Sequence, residues 1–109
     1  MKTAKRIQDV EKRVRAILIK DRQARNSDSF LYFKVLQKMG EEKGIDVDSL
    51  PVTTFLLEMS ALGFPPFESV RRARQKLQRA NPDLRACEAV EEARSENEFA
   101  YREYARSVV

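Results

Sequence analysis

Apolar positions recur every three to four residues along most of the chain, which is the period of an amphipathic helix. The first such segment runs from about Thr3 to Ala24, and the second runs from Phe30 to Met39. The apolar side of the first consists of Ile7, Val10, Val14, Ile17 and Leu18. The second is apolar on most sides, which predicts the central core helix. Between them, Asn26-Ser27-Asp28-Ser29 is a run of helix-capping residues that separates the two helices.

The second segment is expected to end at Gly40 or Gly44, because glycine tolerates the positive φ that commonly terminates a helix. An acidic loop from Glu41 to Ser49 follows it. Aromatic side chains within the segment could be a stacking platform for single-stranded nucleic acid. At helical spacing they are far more typical of a core.

The stretch from residue 51 to residue 81 predicts two helices joined by a turn, and the remaining chain is organised around it. Pro51 suits the start of the first helix, where a missing N–H costs nothing. Its apolar side consists of Val52, Phe55, Leu56, Met59 and Leu62. Gly63 is placed to end this helix, and Phe64-Pro65-Pro66 prevents its continuation. The second helix then runs from about Phe67 to Ala80.

This second helix has a narrow apolar side and a strongly basic outer side. On a helical wheel the predicted buried stripe is Val70, Ala73, Leu77 and Ala80. Arg74 lies at its border. The residues that point away are Arg71, Arg72, Gln75, Lys76, Gln78 and Arg79. Their side chains are suited to phosphate oxygens and to base edges. Together with Arg74 they are the candidate DNA-binding residues, although a basic helix side can also simply face water.

A last helix is predicted over residues 82–106, since Asn81-Pro82-Asp83 is a helix-start signal. Its apolar stripe is weak and consists of Leu84, Cys87, Val90, Ala93 and Ala100 or Tyr101. Cys87 is expected to be a small buried residue. A long helix with a weak stripe often projects and pairs with another chain. The predicted homodimer interface is its aromatic end, at Phe99, Tyr101 and Tyr104.

Charge is distributed unevenly along the 109 residues, although the net value is only +4. Residues 1–26 carry nine Lys and Arg against three acids, and residues 64–81 carry five against one. The intervening residues 27–63 and the final residues 82–109 each carry a net charge of −3. Such alternation is expected when one surface of a protein meets an anionic partner.

Composition argues against catalysis. The chain has no histidine, so the commonest general base and the commonest metal ligand are missing. A single cysteine excludes a disulfide framework and a cysteine-based zinc cluster, and no glycine-rich phosphate loop is present. We therefore expect no enzyme, no metal and no cofactor. No apolar run is long enough for a membrane span and no signal peptide opens the chain, which predicts a cytoplasmic protein without a membrane partner.

Two stretches resemble small helical proteins encoded by prophages of Gram-positive bacteria. They are the run from Phe67 to Gln78 followed by Asn81-Pro82-Asp83-Leu84, and the ending Tyr101-Arg102-Glu103-Tyr104. The resemblance covers about the C-terminal two-thirds of the chain and implies a phage setting. The helix pair also looks like the helix-turn-helix of transcription regulators, which implies that the second helix binds the major groove. Counted from Gly63, the turn is one residue longer than usual, and no β-hairpin wing is visible.

The sequence thus predicts one all-α domain spanning residues 1–109, with about five helices, a helix-turn-helix-like core at 51–81 and a long C-terminal helix. The leading functional prediction is a phage transcription regulator that binds double-stranded DNA in the cytoplasm of the bacterial host. The alternative is a phage-encoded protein that binds and inhibits a host enzyme or nuclease, as anti-CRISPR proteins do. A structural or assembly protein held together by the last helix is the third reading.

Overall fold

The computed structural model describes the backbone of residues 2–108 and the side chains of residues 8–104 and of Arg106. Within this range the chain forms helices and no strand, which confirms the all-α prediction. The helices are α1 (Lys2–Lys20), α2 (Arg22–Asn26), α3 (Asp28–Lys43), α4 (Val52–Glu58), α5 (Phe67–Ala80) and α6 (Glu88–Val108). Short 3₁₀ turns at Val47–Ser49 and Pro82–Leu84 precede α4 and α6.

Short polar side chains set the boundaries of the first three helices. The helix expected to reach Ala24 is interrupted at Asp21, whose carboxylate caps α2 by accepting a hydrogen bond from the Gln23 N–H at 3.0 Å. Ser27 caps α3 in the same way, accepting from the N–H of Phe30 at 3.2 Å. Gly44 ends α3 with a φ of 72°. Gly40 lies inside α3, where a Cβ would come within 2.6 Å of the Ile45 carbonyl oxygen.

The core lies where α1, α3 and α5 meet. Its largest fully buried side chains are Val14, Leu18, Leu31, Val35 and Val70. These positions are the predicted inner sides of the first two helices, joined by one residue of α5. The side chains of Ile7, also predicted for this core, and of the other residues before Gln8 lie outside the described part of the chain.

The α4 helix departs from the predicted helix pair. It has seven residues, and its predicted apolar side is largely in water, with Val52 and Leu56 exposed together with the neighbouring Leu57. The extensive helix–helix contacts join α1, α2, α3 and α5, and α4 takes part in none of them. The Phe55 ring instead contacts the Phe64 ring, with centroids 5.7 Å apart. The segment 51–81 therefore holds two helices that do not share an extensive interface.

The start of α5 is fixed by α3. The Tyr32 hydroxyl donates a 2.8 Å hydrogen bond to the Pro65 carbonyl, and its ring meets the Phe67 ring edge-on at 5.4 Å. Gly63 has a φ of 83°, so it provides the turn that the sequence predicted there. Because Tyr32 belongs to a core helix, the first turn of α5 is attached directly to the centre of the protein.

The last helix begins six residues later than predicted. Asn81-Pro82-Asp83 starts a 3₁₀ turn, whose Leu84 is buried, and α6 starts only at Glu88. Cys87 is exposed, not buried as expected. Every described residue from Ser95 to Tyr104 is exposed. The radius of gyration is 15.5 Å, against about 13 Å expected for a compact domain of this length. The excess agrees with a helix that projects from the core.

Candidate nucleic-acid interface

The buried side of α5 differs from the predicted stripe. Val70 and Ala73 are buried as expected and pack against α1 and α3. Leu77 is half-buried, whereas Ala80 at the end of the helix is exposed. Two polar residues take the remaining buried positions. Arg74 is 7% exposed and Gln78 is 5% exposed. The prediction that Gln78 points outward is therefore wrong, and Arg74, predicted at the border of the stripe, is buried, so neither side chain is presented to DNA.

Arg74 is buried because a carboxylate from another helix meets it. Its Nε and Nη2 donate to the two carboxylate oxygens of Asp28, at 2.8 and 3.0 Å. Asp28 lies in the first turn of α3, where the helix dipole also favours a negative charge. This two-point geometry is the strong form of an arginine–carboxylate pair. The pair fastens the middle of α5 to the beginning of α3.

Gln78 is buried because its amide is saturated with hydrogen bonds. Its Nε2 donates to the carbonyl oxygens of Arg25 at 3.2 Å and of Leu84 at 2.9 Å. Its Oε1 accepts from Nη1 of Arg74 and Nη1 of Arg94, each at 3.3 Å. A buried polar group is tolerated when its hydrogen bonds are made in this way. Gln78 therefore links α2, α5, the 3₁₀ turn before α6, and α6 itself.

Arg94 completes a buried polar network, by which we mean Asp28, Arg74, Gln78 and Arg94. Its Nη1 also donates to the Arg25 carbonyl at 3.2 Å, and its Nη2 lies 3.7 Å from the Asp28 carboxylate. That Nη2 is buried and has no hydrogen-bond partner among the described residues. Burial and, secondarily, the neighbouring Arg74 charge lower the pKa of Arg94. The network thus contains two guanidinium groups and one carboxylate.

The outer side of α5 keeps four of the predicted residues in one row. Arg72, Gln75, Lys76 and Arg79 follow the spacing i, i+3, i+4, i+7, which places them on one side of a helix. We call these four the outer stripe. Gln75 is half-exposed, and the three cationic side chains are exposed. Together with Ala80 they line a shallow groove of about 370 Å³.

Acidic residues neutralise part of this surface. Glu68 binds Arg71 through both oxygens, at 2.7 and 3.0 Å, and also contacts Arg72 at 3.3 Å. The hydrogen bonds from Arg71, the largest cause, lower the pKa of the Glu68 carboxyl. Lys76 pairs at 2.9 Å with Glu11 of α1, a partner that lies 65 residues away. Ion pairs at the protein surface contribute little to stability. A phosphate can therefore replace either carboxylate at little cost.

A second basic surface lies between α5 and α6, and sequence reasoning missed it. This cleft has a volume of about 810 Å³ and the buried polar network lies at its base. Arg71, Gln75 and Arg79 line it from α5, and Tyr101 lines it from α6. The remaining lining residues are Arg85, Glu91, Ser95, Asn97 and Glu98. No local pattern marks Arg85 or Arg94, because the cleft is created only when the two helices come together.

The predicted dimer residues are all exposed on the projecting part of α6. Tyr101 and Tyr104 are three residues apart and therefore lie on the same side of the helix. At about 100° per residue, Phe99 points to a different side. The three residues do not form a single patch, and Tyr101 also belongs to the cleft.

Comparison with known proteins gives no relative: no family model, no curated protein and no solved structure matches the chain. Among the described residues, no helix has both the length and the apolar character needed to cross a membrane. No group of three or more His, Cys, Asp or Glu in this part of the chain is arranged to hold a metal ion. The geometry of α5 and α6 is thus the basis for any functional argument.

Proposed function

We propose that the protein binds double-stranded DNA through the outer stripe of α5 and acts as a regulator of phage genes in the host cytoplasm. The observation that carries the proposal is the division of α5 into two sides. One side is fixed to the core, and the other presents Arg72, Gln75, Lys76 and Arg79 as one exposed row.

Rigid attachment matters because a helix that enters the major groove must hold its side chains in register with the bases. The attachment of α5 has three independent parts. Val70 and Ala73 pack into the core, Arg74 is bound to Asp28, and the first turn is fixed by Tyr32.

Each residue of the outer stripe has a chemical role in this proposal. Gln75 lies between the cations and carries both a donor and an acceptor, as adenine recognition requires. Arg72, Lys76 and Arg79 offer donors to phosphates, and the arginines also suit guanine. Arg71 remains tied to Glu68 at the edge of the row. Arg74 and Gln78 contribute indirectly, by holding the helix.

A homodimer belongs to the proposal, because one helix buries little DNA surface and two-fold regulators bind two half-sites. The exposed end of α6 carries Tyr101 and Tyr104, and aromatic residues are enriched at protein interfaces.

The test is the salt dependence of binding to a duplex from the region upstream of the gene and to a duplex of unrelated sequence. We expect log K to fall with log salt by roughly 0.9 for each phosphate contact. Arg72→Gln and Gln75→Ala should change the preference between the duplexes. Lys38→Gln removes the same charge as Arg72→Gln from a groove between α1 and α3 that contains no α5 residue. It should leave the preference unchanged. Absence of binding at low salt would overturn the proposal.

One observation favours the second candidate, a protein-binding inhibitor of a host enzyme or nuclease. The α4 helix exposes Val52, Leu56 and Leu57, the last to 81%, which is unusual apolar exposure for seven residues. Leu56→Asp together with Leu57→Asp should abolish association with a host protein and leave DNA affinity intact. If this folded variant loses DNA binding, the apolar side of α4 belongs to the DNA-binding surface and not to an inhibitor.

A further inference from the structure

The cleft between α5 and α6 has more positive charge than its own acids can balance. Five arginines line it, namely Arg71, Arg74, Arg79, Arg85 and Arg94, and three acids do, namely Asp28, Glu91 and Glu98. Counting formal charges, five minus three leaves an excess of two. A concave surface with an excess of one charge sign concentrates oppositely charged ligands.

The three acids of the cleft are already engaged. Asp28 is bound by Arg74 on both oxygens. Glu91 accepts a hydrogen bond from the Ala86 N–H at 3.2 Å, and Glu98 is held by Arg102 at 2.7 Å. Neither Arg79 nor Arg85 has an ion-pair partner among the described residues. Their guanidinium groups are thus available to a ligand.

The base of the cleft also favours an anion. Arg74 and Arg94 share the single carboxylate of Asp28, and the two guanidinium groups repel each other across Gln78. Arg94 keeps a buried Nη2 without a hydrogen bond in the described part of the chain. An anion above the network reduces this repulsion through its field, without contacting the buried atoms.

We propose that the cleft is a phosphate-binding site in which Arg79 and Arg85 hold a phosphodiester of the DNA strand next to α5. The inference rests on the proposed DNA-binding function. It goes further by adding a contact outside the groove and by giving α6 a part in binding. Arginine suits this ligand because its planar fork can donate two hydrogen bonds to one phosphate.

Continuity with the outer stripe favours DNA as the source of the phosphate. Gln75 and Arg79 line both the shallow groove on α5 and the cleft. A strand that follows the outer stripe therefore reaches the mouth of the cleft without a gap in the basic surface. On the far side, Ser95 and Asn97 of α6 add neutral hydrogen-bonding groups to the cleft.

The experiment compares Arg85→Gln with Arg106→Gln, an identical change on α6 outside the cleft, whose ion-pair partner Glu103 is also outside it. Both side chains are exposed, so both variants should melt like the wild type. Arg85→Gln should weaken binding to every duplex alike and reduce the salt slope by about 0.9. Arg106→Gln should leave the slope unchanged.

Failure of the inference is distinguishable from failure of the proposed function. If Arg72→Gln weakens DNA binding while Arg85→Gln binds like the wild type, the cleft inference is overturned and the α5 interface stands. If the wild type binds no DNA, sodium pyrophosphate is titrated while amide NMR shifts are recorded. Shifts at Ser95 and Asn97 that Arg85→Gln abolishes support a site for a free phosphorylated ligand. Absence of such shifts overturns the cleft site as well.

Discussion

The helices α5 and α6 are both long and highly charged, yet they are attached to the protein in opposite ways. Along α5, buried residues extend from Val70 to Gln78, so almost the whole helix is fixed on one side. Among the described side chains of α6, half-burial is confined to Val90, Glu91 and Arg94, and the next ten residues are exposed. The first helix is part of the core, whereas the second is held by its beginning only.

Polar contacts explain this difference better than apolar ones. Only two α5 residues, Val70 and Ala73, are both apolar and buried, which is little for fourteen residues. The rest of its attachment comes from Arg74 and Gln78, from half-buried Leu77, and from Tyr32 at the first turn. Attachment of α6 depends on the same network, because Arg94 binds the Gln78 side chain and the Arg25 carbonyl. Gln78 and Asp28 therefore contribute to the relative position of the two helices, together with Asn26, whose side chain accepts a 2.8 Å hydrogen bond from the Cys87 N–H just before α6.

The largest expected effect comes from removing the one carboxylate of this network. Asp28→Asn leaves the buried guanidinium of Arg74 and the half-buried guanidinium of Arg94 without a counter-charge. Loss of one partner of a buried pair costs about 3–5 kcal/mol. We expect the free energy of unfolding to fall by about 3 kcal/mol, the low end of that range, because Asp28 keeps some exposure. Urea denaturation measures it.

Asp83→Asn is the matched control for that change. Asp83 is exposed in the 3₁₀ turn before α6 and has no ion-pair partner among the described residues. We expect a change of at most about 0.5 kcal/mol. Equal losses of unfolding free energy for the two variants would mean that the buried polar network does not hold α5. The difference in attachment between α5 and α6 would then need another explanation.

The next effect separates two glutamines three residues apart on α5. Gln78→Ala removes the partner that Arg74 Nη1 and the Leu84 carbonyl share in Gln78. It also removes one of the two partners of Arg94 Nη1 and of the Arg25 carbonyl, so we expect a loss of about 1–3 kcal/mol. Gln75→Ala should lower the free energy of unfolding by no more than about 0.5 kcal/mol, because the Gln75 side chain is half-exposed on the outer stripe. In duplex binding, Gln75→Ala should alter sequence preference, whereas Gln78→Ala should not. A stable Gln78→Ala variant with altered preference would restore Gln78 to the DNA-binding side.

Sequence periodicity predicted those parts of the fold that depend on local chemistry. The caps at Ser27 and Gly44, the turn at Gly63 and the apolar inner sides of α1 and α3 all follow from short stretches of sequence. These features are local because a capping side chain bonds the backbone two or three residues away. Four of the seven candidate DNA-binding residues also lie in one exposed row, although DNA binding itself stays a prediction.

Hydrogen-bond partners that are far apart in the sequence explain the burial of residues that periodicity did not predict to be buried. A helical wheel that ranks residues by polarity places Gln78 outside and Arg74 at the border, because it does not include the distant groups in the fold that bind their side chains. The Asp28 carboxylate is 46 residues from Arg74, and the Arg25 carbonyl is 53 residues from Gln78. The start of α6 was misplaced because Asn81-Pro82-Asp83 suits a 3₁₀ turn as well as an α-helix. The long α6 was expected to project, and the exposure of residues 95–104 agrees with that expectation.

The smallest expected effect on stability concerns the projecting end of α6. A chain ending at Asn97 keeps Arg94 and all of the buried polar network, and among the described residues it loses only exposed ones. We expect its free energy of unfolding to stay within about 0.5 kcal/mol of the full chain when both are measured as monomers at low concentration. Thermal melts followed by circular dichroism provide the measurement. A larger loss would show that the end of α6 packs on the core.

The same truncation should nevertheless change the oligomeric state in solution, because it removes Tyr101 and Tyr104, the aromatic side of the proposed dimer interface. We expect the full chain to scatter light as a dimer and the chain ending at Asn97 to scatter as a monomer. Tyr101→Ser with Tyr104→Ser should reproduce the monomer without shortening the helix, and Arg106→Gln is the control on the same exposed end.

If the full chain is already monomeric, or if the shortened chain keeps the dimer mass, the projecting end of α6 is not the interface. The two half-sites of the proposed DNA complex would then have to be joined through another surface, of which the exposed apolar side of α4 at Leu56 and Leu57 is the strongest candidate.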